Sequence, residues 1–522
     1  MTDKGSHERK ITGAASIVGS ATVLSRILGY VRDATVAYVF GAGMHTDAFF
    51  MAFRIANLLR RLVGEGALTS SFIPIFTDEM NRRSKEETRR LASRLFTVFT
   101  LILLVLTALG MIFSKEIVWL MSPGFARDPE KFSMTVNLTR LMFPYMVFIG
   151  LMAMAMGVLN SLRHFTAPAL APVFLNLGII ASILVIAPFL HIPVYAIAIG
   201  VLIGGALQFL IQIPYLKKYG FLPFPSFNFS DPAIKRVFAL MGPAAIGVGV
   251  YQIDIFVTMW FSSQLAEGSV SYLYYAGRLM ELPLGVFGLA VSTAVLPSLS
   301  EQVSKKDWDG FRQSLSFAVR IVNFVNIPAT VGLFVLSYPI VDILFRRGEF
   351  GSAAANGTAV VLYYYALGLV PVSVSRILTA VFYSLKDTAT PVLIALITLI
   401  FNVIFCFALV GPLGTGGLAL ATSLSSSINC ILLLVVLKKR FGRFGGGLIL
   451  SSALKSAAAS VAMGILIYLV FHVIGFEGLN AAAKIVIMAL ALVVGIITYI
   501  TSSRALKTPE LAFLKGFLKK GE

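Results

Sequence analysis

The chain has 522 residues, 57% apolar and 13% charged, with 43 Lys and Arg against 25 Asp and Glu and a formal net charge of +18. A soluble globular protein is about 45–50% apolar and about 25% charged, so the composition excludes one. Apolar runs near the ~20 residues that cross a bilayer recur along the whole length without the alternation of outer-membrane strands, which predicts an all-α polytopic membrane protein.

Taken from the amino terminus, the runs predict fourteen transmembrane helices, at 12–39, 46–77, 92–114, 134–160, 166–189, 193–216, 237–263, 269–299, 314–344, 358–384, 389–411, 415–437, 448–475 and 482–502. The opening decapeptide MTDKGSHERK is polar. The apolar segment after it carries arginines and is too long for a cleaved signal peptide, so it reads as a retained first helix. Turns such as GAGMHTD, KKYGFLPFPSFNFSDP and VGPLGTGG separate the spans. The two cysteines, Cys406 and Cys430, lie in apolar runs and show no metal-ligand spacing.

The basic residues set the topology. With each basic residue near a span's end counted to that end, the termini and even-numbered loops hold 29 Lys and Arg. The odd-numbered loops hold Lys115, Arg127, Lys131, Arg346, Arg347 and Lys484. This asymmetry predicts both termini in the cytoplasm and accounts for the net charge without nucleic acid. Eight arginines remain inside spans: Arg26, Arg32, Arg54, Arg60, Arg61, Arg140, Arg278 and Arg376. A central arginine costs about 2.5–3.5 kcal/mol even on the lenient insertion scale, so they cannot all face lipid.

The chain also repeats itself at an offset of 223: Pro74 matches Pro297, Ser114 matches Ser337, Ile117-Val118 match Ile340-Val341, and Ser161-Leu162 match Ser384-Leu385. Spans 1–6 and 7–12 therefore read as two parallel copies of one unit, a known transporter plan. The expected organisation is a first lobe at 1–222, a second at 223–445, and spans 13 and 14 with a basic tail at 446–522. That tail, LAFLKGFLKK, reads either as an amphipathic surface helix or as a solvated terminus. The charges are not duplicated. At the same offset Arg26, Arg32, Asp47, Arg60 and Glu65 face Gly249, Ile255, Val270, Pro283 and Gly288. Charges needed only to build the scaffold would recur in both copies, so these favour a functional role.

Three constellations follow. In SRILGYVRD, Arg26 and Asp33 share nearly one helix face, and Arg32 is turned by about 120° from Arg26, with Gly29 between them able to permit a bend. Either the arginines are satisfied locally, one by Asp33, or both line a cavity. In span 2, Asp47, Arg54, Arg61 and Glu65 form one stripe, and Arg61–Glu65 is an i,i+4 ion pair or a switchable contact. In span 8, Arg278 and Glu281 are either a self-contained i,i+3 pair or face the span 2 stripe. Arginine's planar fork binds phosphate or carboxylate bidentately and stays charged, so an arginine-lined cavity points to an anionic substrate, phosphate first. The sequence carries no zinc spacing, no P-loop and no GxSxG pattern, so neither catalysis nor direct use of ATP is expected. GVLIG at Gly200–Gly204 is a helix-packing signal.

The stretch from SRILGYVRD to FGAGMHTDAFFMAFRIANLLRRLVGEGALTSSFIPIF, together with GRLMELPLGVFGLAVSTAVLPSLS, resembles the MurJ/MviN family of lipid II flippases, within the multidrug/oligosaccharidyl-lipid/polysaccharide exporter superfamily. The resemblance covers nearly the full chain. It implies two pseudo-symmetric six-helix lobes around a cationic cavity, two further helices forming a lipid-side groove, and alternating-access transport of lipid II, the undecaprenyl-diphosphate disaccharide pentapeptide, across the bacterial inner membrane for cell-wall synthesis. It implies that Arg26, Arg32 and Arg278 hold the diphosphate and that Asp47, Arg60, Glu65 and Glu281 serve the same cavity. Helical periodicity alone would choose Arg61 over Arg60. No cofactor is implied beyond a sodium ion in some members. Asp254 and Asp387 are the acids to consider for it, and Asp387, in a KDTATP turn, reads better as a cap. An inside-negative membrane potential would assist outward movement of the anionic headgroup, with sodium and proton coupling as the alternatives, and the chain is expected to act as a monomer among membrane lipids. The alternatives are a flippase for another polyprenyl-diphosphate glycan and, against the arginine chemistry, a multidrug or cation exporter. A membrane enzyme on such lipids would need a large loop with catalytic carboxylates, and the longest odd-numbered loop is short.

Overall fold

The structure, a computed structural model, describes residues 2–60, 68–285, 289–442, 444–476 and 478–511. Among the described residues there are nineteen α-helices and no strand. Every segment expected to span holds helix among its described residues. Span 1 is α1 (Thr2–Phe40), unbroken across Gly29, and span 2 holds α2 (Met44–Arg60) and α3 (Leu68–Arg82). Span 3 is α4 (Lys85–Ile112); a short α5 (Ser114–Met121) follows it, and span 4 is split into α6 (Pro129–Met142) and α7 (Tyr145–Ser161). Spans 5 and 6 give α8 (Thr166–Val185), then α9 (Tyr195–Leu210) with α10 (Ile213–Tyr219). In the second copy, span 7 is α11 (Pro232–Ser262), span 8 holds α12 (Ser269–Pro283) and α13 (Leu289–Ser304), and span 9 is α14 (Trp308–Phe345). Span 10 is the pair α15 (Ser352–Ala366) and α16 (Leu369–Ser384), and spans 11 and 12 run together as α17 (Ala389–Phe441). The last two are α18 (Gly446–Ile474) and α19 (Ala481–Ala505). Counting α6 with α7 and α9 with α10 as one each, eight helical stretches among the described residues are long and apolar enough to cross a bilayer, and α15 with α16, bent by 46°, makes a ninth.

Helix boundaries follow the repeat. α4 is capped by Ser84, whose hydroxyl accepts from Glu87 N, and α14 by Asp307, which accepts from Gly310 N, 223 residues on. α7 and α16 end at Ser161 and Ser384, and each is closed by a basic residue in the left-handed region, Arg163 (φ 58°) and Lys386 (φ 59°). The same wrapping bond follows in both: His164 N donates to Leu159 O at 2.8 Å, and Asp387 N to Phe382 O at 2.9 Å. α17 is divided at Gly414, whose φ of 54° and ψ of −128° are open only to glycine, at the turn expected between spans 11 and 12.

The described residues divide into two compact units, Met1–Val270 with Arg347–Phe350, and Ser271–Arg346 with Gly351 onward. In the first, Phe72 and Phe76 of α3, Leu95 and Phe99 of α4, Val158 of α7 and Val237 of α11 share one buried core. Gly178 of α8 meets Gly200 and Gly204 of α9 so closely that a Cβ on Gly178 would lie 2.7 Å from the Gly204 backbone. The GVLIG packing signal is thus realised. In the second unit, Leu315 and Val322 of α14 pack with Ile377 and Phe382 of α16 and Leu433 of α17. α18 and α19 lie against α14 through Met463, Ala491 and Tyr499, whose hydroxyl donates to Phe324 O at 2.6 Å. The outward faces are apolar, as at Val105 and Ile112 of α4, Ile400 and Phe407 of α17 and Val493 and Ile497 of α19, a surface that a bilayer covers.

Charges on the even-loop side are tied to helix ends. Asp231 caps α11 through Ala233 N and accepts from Arg83 at 2.7 and 3.0 Å and from Arg94 at 3.2 Å. The hydrogen bond from Arg83 is the main cause holding the Asp231 carboxyl below its usual range. Glu79 pairs with both Arg83 and Arg236.

Candidate functional site

The eight arginines inside the expected spans divide by environment. Arg140 donates to Met111 O at the end of α4 (3.2 Å) and Arg376 to Leu284 O just past α12 (3.4 Å), so both serve backbone carbonyls at helix ends. Arg26 is exposed on α1 and makes no ion pair among the described residues. Arg32 is 8% exposed and turned into the α1–α8 packing. Its Nε and Nη2 reach Asp33 Oδ1 at 2.9 and 2.6 Å, and its Nη1 reaches Asn176 Oδ1 at 3.1 Å. Asn176 donates in turn to Ser25 O at 3.1 Å, which staples α8 across the turn between the two arginines. Asp33 is therefore the partner of Arg32, its sequence neighbour, and not of Arg26 seven residues away.

Asp47, at the start of α2, is 1% exposed and accepts from Lys131 Nζ and from Gly268 N, each at 2.8 Å. Lys131 also lies 4.3 Å from the centre of the Phe125 ring. Two neighbouring contacts continue this seam: Met44 N donates to Glu267 Oε1 at 2.6 Å, and Glu349 N donates to Tyr38 O at 3.0 Å. Four odd-side segments, those of Tyr38 to Asp47, Lys131, Glu267-Gly268 and Glu349, are thus joined within the first unit. Arg54 is half-buried on α2. Arg60 ends α2; its side chain, and Arg61 and Glu65 entirely, lie outside the described residues, as does the tail beyond Leu511.

In the second unit Arg278 Nη1 and Glu281 Oε2 are 2.8 Å apart, with side-chain exposures of 33% and 62%. The i,i+3 pair exists, and at that exposure it holds about 0.3–0.5 kcal/mol, little enough to be exchanged for another anion. Asp387 accepts from Thr390 N at 3.0 Å and from its hydroxyl at 2.7 Å, and pairs with Arg440, as a turn-capping acid does. These bonds, led by that of Thr390 N, hold its carboxyl below the usual range. No cluster of three or more His, Cys, Asp or Glu able to hold a metal ion occurs among the described residues.

Two residues of this network were not singled out from sequence. Lys131 counts there only as an odd-loop charge, and Asn176 is a lone amide in the apolar run TAPALAPVFLNLGIIASILV, where an unpaired amide is costly and so implies a partner.

Apolar helices capped and broken at repeat-related positions, with arginines kept inside them, define a multi-pass helical membrane protein built on an internal repeat. An inward-facing multidrug resistance transporter of the MOP superfamily matches over 82% of this chain and 98% of its own at a TM-score of 0.68 and 14% identity, which supports the fold alone. The family model described as lipid II flippase MurJ matches residues 36–501, and the chain belongs to that family. A lipid II flippase MurJ of Burkholderia cenocepacia is 38% identical over 427 residues, 81% of this chain and 83% of that protein. A probable lipid II flippase MurJ of Bdellovibrio bacteriovorus is 36% identical over 460 residues, 87% of both. A solved structure of a lipid II flippase MurJ in an inward closed conformation matches over 94% of this chain and 99% of its own, with a TM-score of 0.77 and 30% identity.

Proposed function

We propose that this protein flips lipid II from the cytoplasmic to the outer leaflet of the bacterial inner membrane, with fourteen spans and both termini in the cytoplasm. The observation that carries the reading is the match over four fifths of both chains to proteins named lipid II flippases. The arginine chemistry supports it. Arg26 is exposed in the middle of an apolar helix, where an arginine facing lipid would cost about 2.5–3.5 kcal/mol, so it faces water or an anion. Arg278 pairs with the exposed Glu281 and can trade that carboxylate for phosphate oxygens.

In this mechanism Arg26, Arg32 and Arg278 bind the diphosphate, with Arg60, Glu65 and Glu281 tuning the same cavity through exchangeable ion pairs and Asp47 supporting it through its buried pair with Lys131. The polyprenyl tail stays in the bilayer beside the last two helices. Rocking of the two halves then exposes the headgroup on the other side. An inside-negative potential favours outward movement of net negative charge by about 2.3 kcal/mol per charge per 100 mV. Lys131 and Asn176 are positioning residues, since they touch Asp47 and Arg32. The test is rescue of cells depleted of their own lipid II flippase. The wild-type gene should restore growth, and Arg26→Ala, Arg32→Ala and Arg278→Ala, each inserted at wild-type level, should not. Full rescue by all three variants would sink the site.

A further inference from the structure

We propose that the even-loop ends of α14 and α18 form a second, separate site for a phosphate-bearing anion, which is either the headgroup of an anionic phospholipid or free phosphate. A cavity of about 490 Å³ there is lined by Arg312, Ser316 and Arg320 of α14 and by Phe444, Gly445 and Leu448 at the start of α18. None of the flipping-site residues lines it.

Three observations converge. First, α18 begins without a side-chain cap: Gly445 is its N-cap, and Gly446 and Gly447 follow, where a Cβ would meet only open space. The first N–H groups of a 29-residue helix are thus uncovered and carry the positive end of its dipole, the arrangement that binds phosphate elsewhere. Second, Ser316 is 6% exposed and its hydroxyl has no partner among the described residues, although it lies against that cap; a Cβ on Gly445 would be 2.9 Å from it. A hydroxyl can donate to an oxyanion, and left alone in this position it costs free energy. Third, two guanidinium groups border the cavity. Arg320 meets Glu510 through Nη1 at 3.0 Å, yet its Nε is buried without a partner among the described residues. Arg312 gives Nη1 to Asp309 at 3.0 Å and Nε to Phe441 O at 3.2 Å. Asp309 and Glu510 offset two positive charges, Arg440 is used by Asp387, and Lys438 and Lys439 leave this end of the unit basic.

The surroundings favour a lipid over the free ion. Leu448, which lines the cavity, is exposed, where an acyl chain would lie, and Trp308 at the start of α14 is the residue type that marks a membrane–water interface.

Native mass spectrometry of the full chain in neutral detergent tests this with dioleoyl-phosphatidylglycerol against dioleoyl-phosphatidylcholine, alongside thermal melts titrated with inorganic phosphate. A lipid site retains one phosphatidylglycerol at about tenfold lower concentration than phosphatidylcholine, and Ser316→Asp or Arg312→Gln removes that preference, as losing one charge-assisted contact implies. Arg504→Gln, a change at another exposed cation, keeps it. A free-phosphate site shows no lipid preference, but phosphate raises the melting temperature of the wild type and not of Ser316→Asp. Should Ser316→Asp unfold, Arg312→Gln alone decides. The proposal is overturned if the two lipids are retained equally and phosphate shifts nothing, or if the lipid preference survives in both variants. Because the site is read without reference to flipping, lipid II transport is free to succeed or fail independently.

Discussion

Adjacent residues on a helix point about 100° apart, so Arg32 and Asp33 do not face each other by helical geometry. They meet because the long arginine stem folds back while its other nitrogen anchors on Asn176. The sequence marks Arg32 and Asp33 as polar groups in an apolar helix, but periodicity cannot point to Asn176, 144 residues away, as the partner of Arg32. The same holds for Asp47, recognisable as a charge inside the membrane region yet paired with Lys131, 84 residues away. Asp47→Ala leaves Lys131 buried and uncompensated, which is expected to cost about 3–5 kcal/mol and to lower the melting temperature of the purified protein. Adding Lys131→Met should recover much of that loss. His164, stacked on Tyr215 in the turn after α7, gives a pH test. Burial, with a smaller effect of Lys218, pushes its imidazole below the usual 6.5. The folded state therefore resists protonation more than the unfolded chain, so this contribution is whole above pH 6.5 and is lost as the pH falls through the lowered value. Melts at pH 7.5 and 5.5 should show a smaller drop for His164→Phe than for the wild type.

Helices were legible wherever an apolar run has punctuation at both ends, and the repeat was legible because its turns are built the same way twice. Breaks within runs were not. Span 4 is interrupted at Phe143-Pro144 and span 6 before Pro214, since proline removes an N–H from the ladder while the apolar pattern continues unchanged across it. α1 runs unbroken across Gly29, where the sequence permits a bend, and packs along α8; a helical glycine permits a bend without imposing one. α8 and α9 approach each other backbone to backbone at Gly178, Gly200 and Gly204. Gly178→Leu must force the two helices apart there. It is expected to destabilise by about 1–3 kcal/mol, read as a lower melting temperature, whereas Gly446→Ala, facing open space, should change little.

At the scale of the molecule, the exporter fold is shared with multidrug transporters at 14% identity, so the fold does not choose the substrate. On the proposed reading the choice lies in side chains placed on one copy of the repeat and withheld from the other, and the unduplicated arginines of the sequence are what name the candidate site. How those arginines act together was not legible, because a repeat fixes helices and not ion pairs between distant segments. The central claim is that they carry the diphosphate of lipid II across the bilayer. Its most direct measurement is leaflet-to-leaflet transfer of fluorescently labelled lipid II in vesicles containing only this protein, under an imposed potential, with other polyprenyl-diphosphate glycans as competitors. The account expects transfer well above protein-free vesicles and a loss of at least about tenfold in each of Arg26→Ala, Arg32→Ala and Arg278→Ala, as removal of a charge-assisted contact implies. Wild-type protein that moves no lipid II, or variants that move it at the wild-type rate, would contradict it.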